Sequence, residues 1–293
     1  KGVLSFGIVF IVAGLGFKLG VVPFHMWLPD VYHGSPTAVT LLIASAPKLA
    51  AFAIVIRLLV EAMIGVAVDW QQMFILMAVA SLLVGNLVAI AQSNLKRMLA
   101  YSTISQIGWV LLGLSVGVVG GSSLSAGNAY SSALFYLVSY VLTTLGTFGV
   151  IAFLSTKGFE SEEIADLAGL SQRSPWAAGV MAIFMFSLAG LPPLVGFYAK
   201  VSVLQALVST GQMLHVWLAV FAVLTSLIGA YYYIRVVKVM YFDASARAEG
   251  ALVRGRGASA LLALNGAAVL YFGILPGGLM NMCRDAIVKA LAG

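Results

Sequence analysis

Apolar runs of about twenty residues, separated by short stretches of glycine, proline and charge, recur along the whole chain. A helix rises ~1.5 Å per residue, so each run is long enough to cross a hydrocarbon layer ~30 Å thick. The pattern predicts eight spans, at roughly 3–22, 37–60, 71–92, 98–118, 130–154, 176–209, 213–240 and 258–276. The sixth is too long for one straight crossing and contains Gly190-Leu191-Pro192-Pro193, followed by Gly196. Proline removes a helix donor and clashes with the preceding turn, so a break is predicted there, near mid-membrane. The first span ends on a similar interruption, with Gly20, Pro23 and Pro29. Helices broken inside a membrane persist only where protein or a watery cavity surrounds them, and in transporters they sit at the conduction site.

Composition agrees with this pattern and narrows the class. The chain of 293 residues is 61% hydrophobic and 9% charged, with a mean hydropathy of +1.04. A soluble domain is ~25% charged, so most of this surface faces lipid. The predicted fold class is an all-α integral membrane protein, a polytopic helix bundle with two discontinuous helices. The formal charge of +6 suits loops on the cytoplasmic side and not a nucleic-acid partner, since no basic stripe with interleaved aromatics lies outside the spans. One cysteine, Cys283, excludes a disulfide framework, and His25, His33 and His215 are too scattered for a metal motif.

Basic residues also give an orientation. The connections 93–98, 155–174 and 235–257 hold Lys96, Arg97, Lys157, Arg173, Arg235, Lys238, Arg247, Arg254 and Arg256, against Lys1, Arg57, Arg284 and Lys289 on the other side. Nine against four predicts that the first set of loops is cytoplasmic. Lys1 begins an apolar run with no initiating methionine and no small-residue cleavage site before Lys18, so the chain reads as part of a longer protein rather than as a signal peptide.

Three basic residues remain, and each falls inside a span: Lys18, Lys48 and Lys200. A lysine at the bilayer centre costs ~2.5–3.5 kcal/mol or more, unless its stem snorkels to the interface. Two of the three adjoin the helix interruptions, which favours a built polar interior over snorkelling. All ten acidic residues lie in connections or at helix ends, so these lysines have no carboxylate partner within the spans. Desolvated lysines of this kind can accept and release protons as their surroundings change. His25, seven residues after Lys18, would share a face with it on an unbroken helix; it reads either as a relay between lysines or as a loop histidine.

Smaller features carry structural expectations. Lys96-Arg97 reads as a positive loop anchor, and 159–172 as an interfacial helix with Ser161 as its N-cap before Glu162 and Glu163. Asp30 is expected to cap the next helix, and Tyr231-Tyr232-Tyr233 to serve packing or the interfacial belt.

Three ordered stretches then carry a resemblance: GFKLGVVPFHMWLPDVYHGSPTAVTLLIASAPKLAAF, NLKRMLAYSTISQIGW and SLAGLPPLVGFYAK. They resemble the signatures of the antiporter-like subunits of respiratory complex I, and the likeness covers essentially the whole chain. It implies a fourteen-helix antiporter-like fold with two inverted five-helix repeats, of which residues 1–293 would form one transmembrane domain, the seventh to fourteenth helices at the C-terminal end. The charge-derived orientation agrees with that topology. By position, Lys18 matches the lysine of the first broken helix, Lys48 the central lysine of the next helix, and Lys200 the lysine of the second, with His25 between the first two. A sister branch usually has glutamate in the region of Lys200, so the lysine, with HMWLPDVY and LPPLVGF, points away from it.

The resemblance implies proton transfer along these four residues, driven by redox chemistry elsewhere. No cofactor is expected on this chain; flavin mononucleotide, iron–sulfur clusters and quinone would act on other subunits. The expected partners are the lipid bilayer and other membrane subunits, above all neighbouring antiporter-like ones, in a bacterial inner membrane. Two departures stand out. The family's upstream glutamate would lie before Lys1, and Gln106 stands where relatives often have histidine. The alternatives are a subunit of a cation/proton antiporter or membrane-bound hydrogenase, and a structural membrane module without conduction.

Overall fold

The computed structural model describes residues 2–155, 160–244 and 256–292, with side chains described from Phe6 onward and, in the last segment, from Gly257. Lys1, Lys157, Arg247 and Arg254, which enter the orientation count, lie outside the described residues, as does part of the 159–172 segment.

Among the described residues the regular structure is helical. The first broken helix is α1 (Gly2–Leu19) and α2 (Trp27–Gly34). It is followed by α3 (Thr37–Val55), which runs on as a π-helical turn over Ile56–Glu61, and by α4 (Ala67–Ile90), α5 (Leu95–Leu114) and α6 (Ala126–Leu154). A 3₁₀ turn at Ile164–Leu167 and the short α7 (Leu170–Arg173) lead into the second broken helix, α8 (Pro175–Ala189) and α9 (Val195–Val208). Then come α10 (Met213–Phe242), α11 (Arg256–Ile274) and α12 (Gly277–Ala292). Counting each broken pair once and leaving α7 and α12 aside, these helices overlap the eight apolar stretches of the sequence. The chain is a multi-pass integral membrane protein.

Among the described residues five stretches are both long and apolar enough to cross a membrane, at Thr37–Glu61, Ile64–Ile90, Ala126–Leu154, Met213–Phe242 and Gly257–Ile274. At ~1.5 Å per residue α4 alone reaches about 36 Å, more than a hydrocarbon core needs. The helix α5 is different. Of its twenty residues only Arg97 and Tyr101 are not buried, because it packs between α4, α6, α2 and α9. Shielded from lipid by its neighbours, it can carry Ser102, Thr103, Ser105 and Gln106 in its interior. It is the axis around which the two broken helices are arranged.

Both breaks close in the same way. In α1 the last turn ends at Gly20, whose φ is +77°, with Val21 N–H donating to Gly16 O at 3.1 Å. In α8 it ends at Gly190, φ +85°, with Leu191 N–H donating to Phe186 O at 3.0 Å. Each is a left-handed C-terminal cap in which a six-to-one bond turns the chain out of the helix, a conformation that only glycine adopts without strain. Both breaks also contain a cis proline peptide, Val22–Pro23 and Pro192–Pro193.

The structure corrects several expectations. Asp30 is no cap: α2 begins three residues earlier, with Pro29 tolerated in its first turn, and Asp30 pairs with Arg97 at 2.6 Å. Ser161 does not cap the helix that follows. Residues 162–164 bond instead to the start of α5, so winding begins only at Ile164, capped by Glu163 in a reciprocal box with Asp166. Lys96 is not a solvent-facing anchor but is 1% exposed and paired with Glu160 and Glu162. The packing expected of the tyrosine cluster is seen at Tyr232 and Tyr233, which are buried and hydrogen-bonded, while Tyr231 is exposed. The amphipathic α12, unanticipated from the sequence, packs on α6 and the π-helical turn and is not a span.

Candidate functional site

A helix ends with carbonyls that have no intrahelical partner and with the negative end of its dipole. In most proteins water or a cap satisfies them; at these two breaks lysines do. Lys48, from the middle of α3 and next to Pro47, is 1% exposed, and its ammonium donates to Leu19 O at 2.7 Å. The same nitrogen stands 5.6 Å from the centre of the Trp27 ring, in cation–π range. Trp27 in turn donates its indole N–H to Phe17 O at 2.9 Å. The first break thus presents its last carbonyls to one cation and one neutral donor.

The second break repeats the arrangement. Lys200 sits in α9, and its ammonium donates to Ala189 O at 2.8 Å, to Leu188 O at 3.3 Å and to Ser226 Oγ of α10 at 2.7 Å. It lies 5.7 Å from the Trp109 ring centre. Here the neutral donor is Gln106, whose Nε2 reaches Leu188 O at 3.0 Å. Among the described residues no salt bridge joins Lys48 or Lys200 to a carboxylate. Each cation is held by backbone and hydroxyl dipoles and an aromatic face.

Gln106 is also the hub of a polar cluster that crosses the bundle. Its Nε2 donates to Tyr233 Oη at 2.9 Å, its Oε1 accepts from Tyr136, and Tyr233 bonds Ser102. One turn earlier on α5, Thr103 accepts from Tyr140 at 2.8 Å, and the Tyr32 phenol of α2 stands beside both. Lys200, Gln106, Tyr136, Ser139 and Tyr140 line one very small cavity. Ser139 Oγ has no hydrogen-bond partner among the described residues.

The four residues singled out from sequence fall into two groups. Lys48 and Lys200 are enclosed, each against a helix break. Lys18, expected to be buried, is exposed on α1, since the described residues do not cover that side of the helix; it is nevertheless near enough to Lys48 for the two ammonium groups to repel. His25 is half-buried in the first break, where the interrupted helix no longer puts it on the face of Lys18. Trp27, Trp109, Ser226, Tyr136 and Tyr140 were not anticipated. A signal existed for three of them: Trp109 follows Gln106 by three residues on α5, and Tyr136 and Tyr140 lie four apart on one face of α6.

Residues 1–229 match the family described as NADH:quinone oxidoreductase/Mrp antiporter, transmembrane. The chain is 61% identical over 292 residues to the NADH-quinone oxidoreductase subunit N of Herminiimonas arsenicoxydans, covering 100% of itself and 58% of that protein. It is 63% identical over 286 residues to the same-named protein of Polaromonas naphthalenivorans, covering 97% and 57%. A chain of respiratory complex I from Thermus thermophilus, solved with bound aureothin, superposes with a TM-score of 0.75 at 32% identity, over 92% of this chain and 56% of that one. The chain therefore spans a little over half the length of the curated relatives it matches.

Proposed function

The chain belongs to the NADH:quinone oxidoreductase/Mrp antiporter transmembrane family, and on that premise we propose that it is a proton-translocating membrane subunit of NADH-quinone oxidoreductase. One observation carries the reading: at each of two helix breaks, a lysine enclosed by protein rests on the free carbonyls of the broken end, with no carboxylate paired to it among the described residues. Protons pass among Lys18, His25, Lys48 and Lys200, assisted by water held on the Gln106 and tyrosine cluster. The driving redox chemistry, with flavin mononucleotide, iron–sulfur clusters and quinone, belongs to other subunits, and neighbouring antiporter-like subunits are its partners. The membrane is a bacterial inner membrane with the 93–98, 155–174 and 235–257 connections on the cytoplasmic face.

The test is purification of the intact assembly in mild detergent, reconstitution into vesicles, and measurement of NADH:quinone reductase activity together with proton uptake. Activity that co-migrates with this chain and acidifies or alkalinises the lumen supports the proposal. An assembly with sodium-dependent ion exchange and no NADH oxidation would point to the antiporter branch named in the family's own description. Reductase activity with unchanged pumping after Lys18, Lys48 and Lys200 are all neutralised would leave a structural module.

A further inference from the structure

Away from the helix breaks, where α3 and α5 begin, a buried cation is clamped by two carboxylates from a distant part of the chain. The Lys96 ammonium donates to Ser35 O at 2.8 Å and pairs with Glu162 Oε1 at 2.6 Å and Glu160 Oε2 at 3.2 Å. The same Glu160 oxygen accepts from Thr37 Oγ1 at 2.7 Å and from Thr37 N–H at 3.3 Å. Thr37 is the first residue of α3, whose own N-cap position, Pro36, provides no side-chain cap. A helix start has unpaired N–H groups and the positive end of the dipole, so a carboxylate stabilises it. Here the carboxylate comes from 123 residues away.

The segment that supplies it is fastened on its other side too. Leu95 N–H donates to Glu162 O at 2.6 Å, Ile164 N–H to Ser93 O at 2.9 Å, and Asn94 Nδ2 to Glu163 Oε1 at 3.1 Å. From there the chain passes through the 3₁₀ turn and α7 directly into α8, whose last carbonyls hold Lys200. One carboxylate group therefore touches both the helix that carries Lys48 and the segment that leads to the other lysine's binding end.

We infer that Glu160 is a positioning residue for proton transfer, fixing the start of the Lys48 helix to the segment that runs into the second break, with Lys96 as the shared counter-charge. The inference rests on the proposed function. Glu160 touches neither lysine; it sets where α3 lies relative to α8, and thereby the registry of Lys48 with Leu19 O and of Lys200 with Ala189 O. Because Glu162 also holds Lys96, losing Glu160 alone frees α3 without leaving the buried ammonium unpaired.

The experiment places Glu160→Ala, Glu160→Gln and Thr37→Val in the full-length subunit within its native membrane complex. It measures NADH:quinone reductase rate and protons moved per electron in the same vesicles. Glu160→Ala and Thr37→Val are expected to lower protons per electron by about twofold, within the range for coupling residues that touch neither site, at an unchanged reductase rate. Glu160→Gln, which keeps an acceptor for Thr37, is expected to recover most of the loss. A merely structural brace would instead lower the reductase rate by reducing the amount of assembled complex and leave protons per electron unchanged. Wild-type coupling in all three variants overturns the inference while leaving the proposed function standing, as does failure of both Glu160→Ala and Thr37→Val to assemble. Absence of proton movement in the wild type overturns the proposed function itself.

Discussion

Gln106 and Lys200 donate to one and the same carbonyl oxygen, that of Leu188, at 3.0 Å from Nε2 and 3.3 Å from Nζ. An oxygen with two lone pairs can serve both donors, and the shorter bond goes to the neutral amide. Gln106 thereby takes part of the dipole that would otherwise stabilise the lysine cation. It cannot titrate, so its effect on Lys200 is constant through the cycle.

Gln106→Leu is expected to uncouple this arrangement. Leu188 O becomes free for Lys200, while Tyr136 and Tyr233 lose a buried partner at a cost of ~1–3 kcal/mol. The thermal midpoint of the assembled complex should fall and pumping should decline. Unchanged pumping with an unchanged midpoint would show that the amide only fills space.

Lys200→Ala and Lys48→Ala are each expected to reduce proton pumping by about tenfold, short of the ~10²-fold that a lost proton-transfer group costs in a rate-limiting step. Assembly, read by native gel, should survive, since among the described residues neither lysine has a carboxylate that its loss would strand. Normal proton stoichiometry in either variant would remove that residue from the path.

Gly190→Ala forces an L-residue to a φ near +85° and puts its Cβ 2.8 Å from Lys200 Cδ. The backbone alone costs ~1–2 kcal/mol, and the lysine stem must also move. Gly20→Ala meets Leu28 Cδ1 at 2.6 Å and Lys48 Nζ at 3.3 Å. Both variants should lower the midpoint, and coupling should suffer more in Gly190→Ala; the reverse order would contradict the contact geometry.

The Glu160 carboxyl is held below the usual carboxylate range, first by the Thr37 hydrogen bonds and then by Lys96. A depressed folded-state value means that its contribution to stability is present above the unfolded value and disappears as pH falls through the folded one. Glu162, which shares Lys96, faces it most closely; the Arg97–Asp30 pair lies on the same end of α5. With 37% of its side chain exposed, the effect is screened and small. Acid unfolding curves should therefore converge for wild type and Glu160→Gln at low pH and separate modestly above pH ~4. Parallel curves would show that the contact is not maintained in solution.

Burial on α12 pushes the Cys283 thiol up to about 11. Only about one thiol in ten thousand is then thiolate at pH 7, and maleimide labelling should be slow, rising about tenfold per pH unit. Rapid labelling at neutral pH would mean that α12 lifts off α6.

Much of this was legible in the sequence, because membrane burial writes itself into long apolar runs and because glycine and proline mark the only places where such helices can break. The lysines stood out for the same reason: little else charged lies within the spans. What the sequence did not reveal depends on contacts between distant segments. Nothing near Glu160 announces that it caps a helix 123 residues away. Nothing in the Lys96-Arg97 pair distinguishes a buried clamp from a loop anchor. The exposure of Lys18 likewise follows from which neighbours cover α1, which no local pattern encodes.

The two lysines reach similar carbonyl ends by different routes along the chain. Lys48 arrives from α3, a helix separate from the one whose end it occupies, whereas Lys200 rides on α9, the continuation of the helix that broke. A sliding of α3 past α1 can therefore withdraw the first cation from its carbonyl with every helix intact, like disengaging a clutch. The second cation is tethered by only a few residues of chain and can leave only if the break itself flexes, like a hinge. One repeated chemical motif is thus built so that a translation would act on one break and a bend on the other.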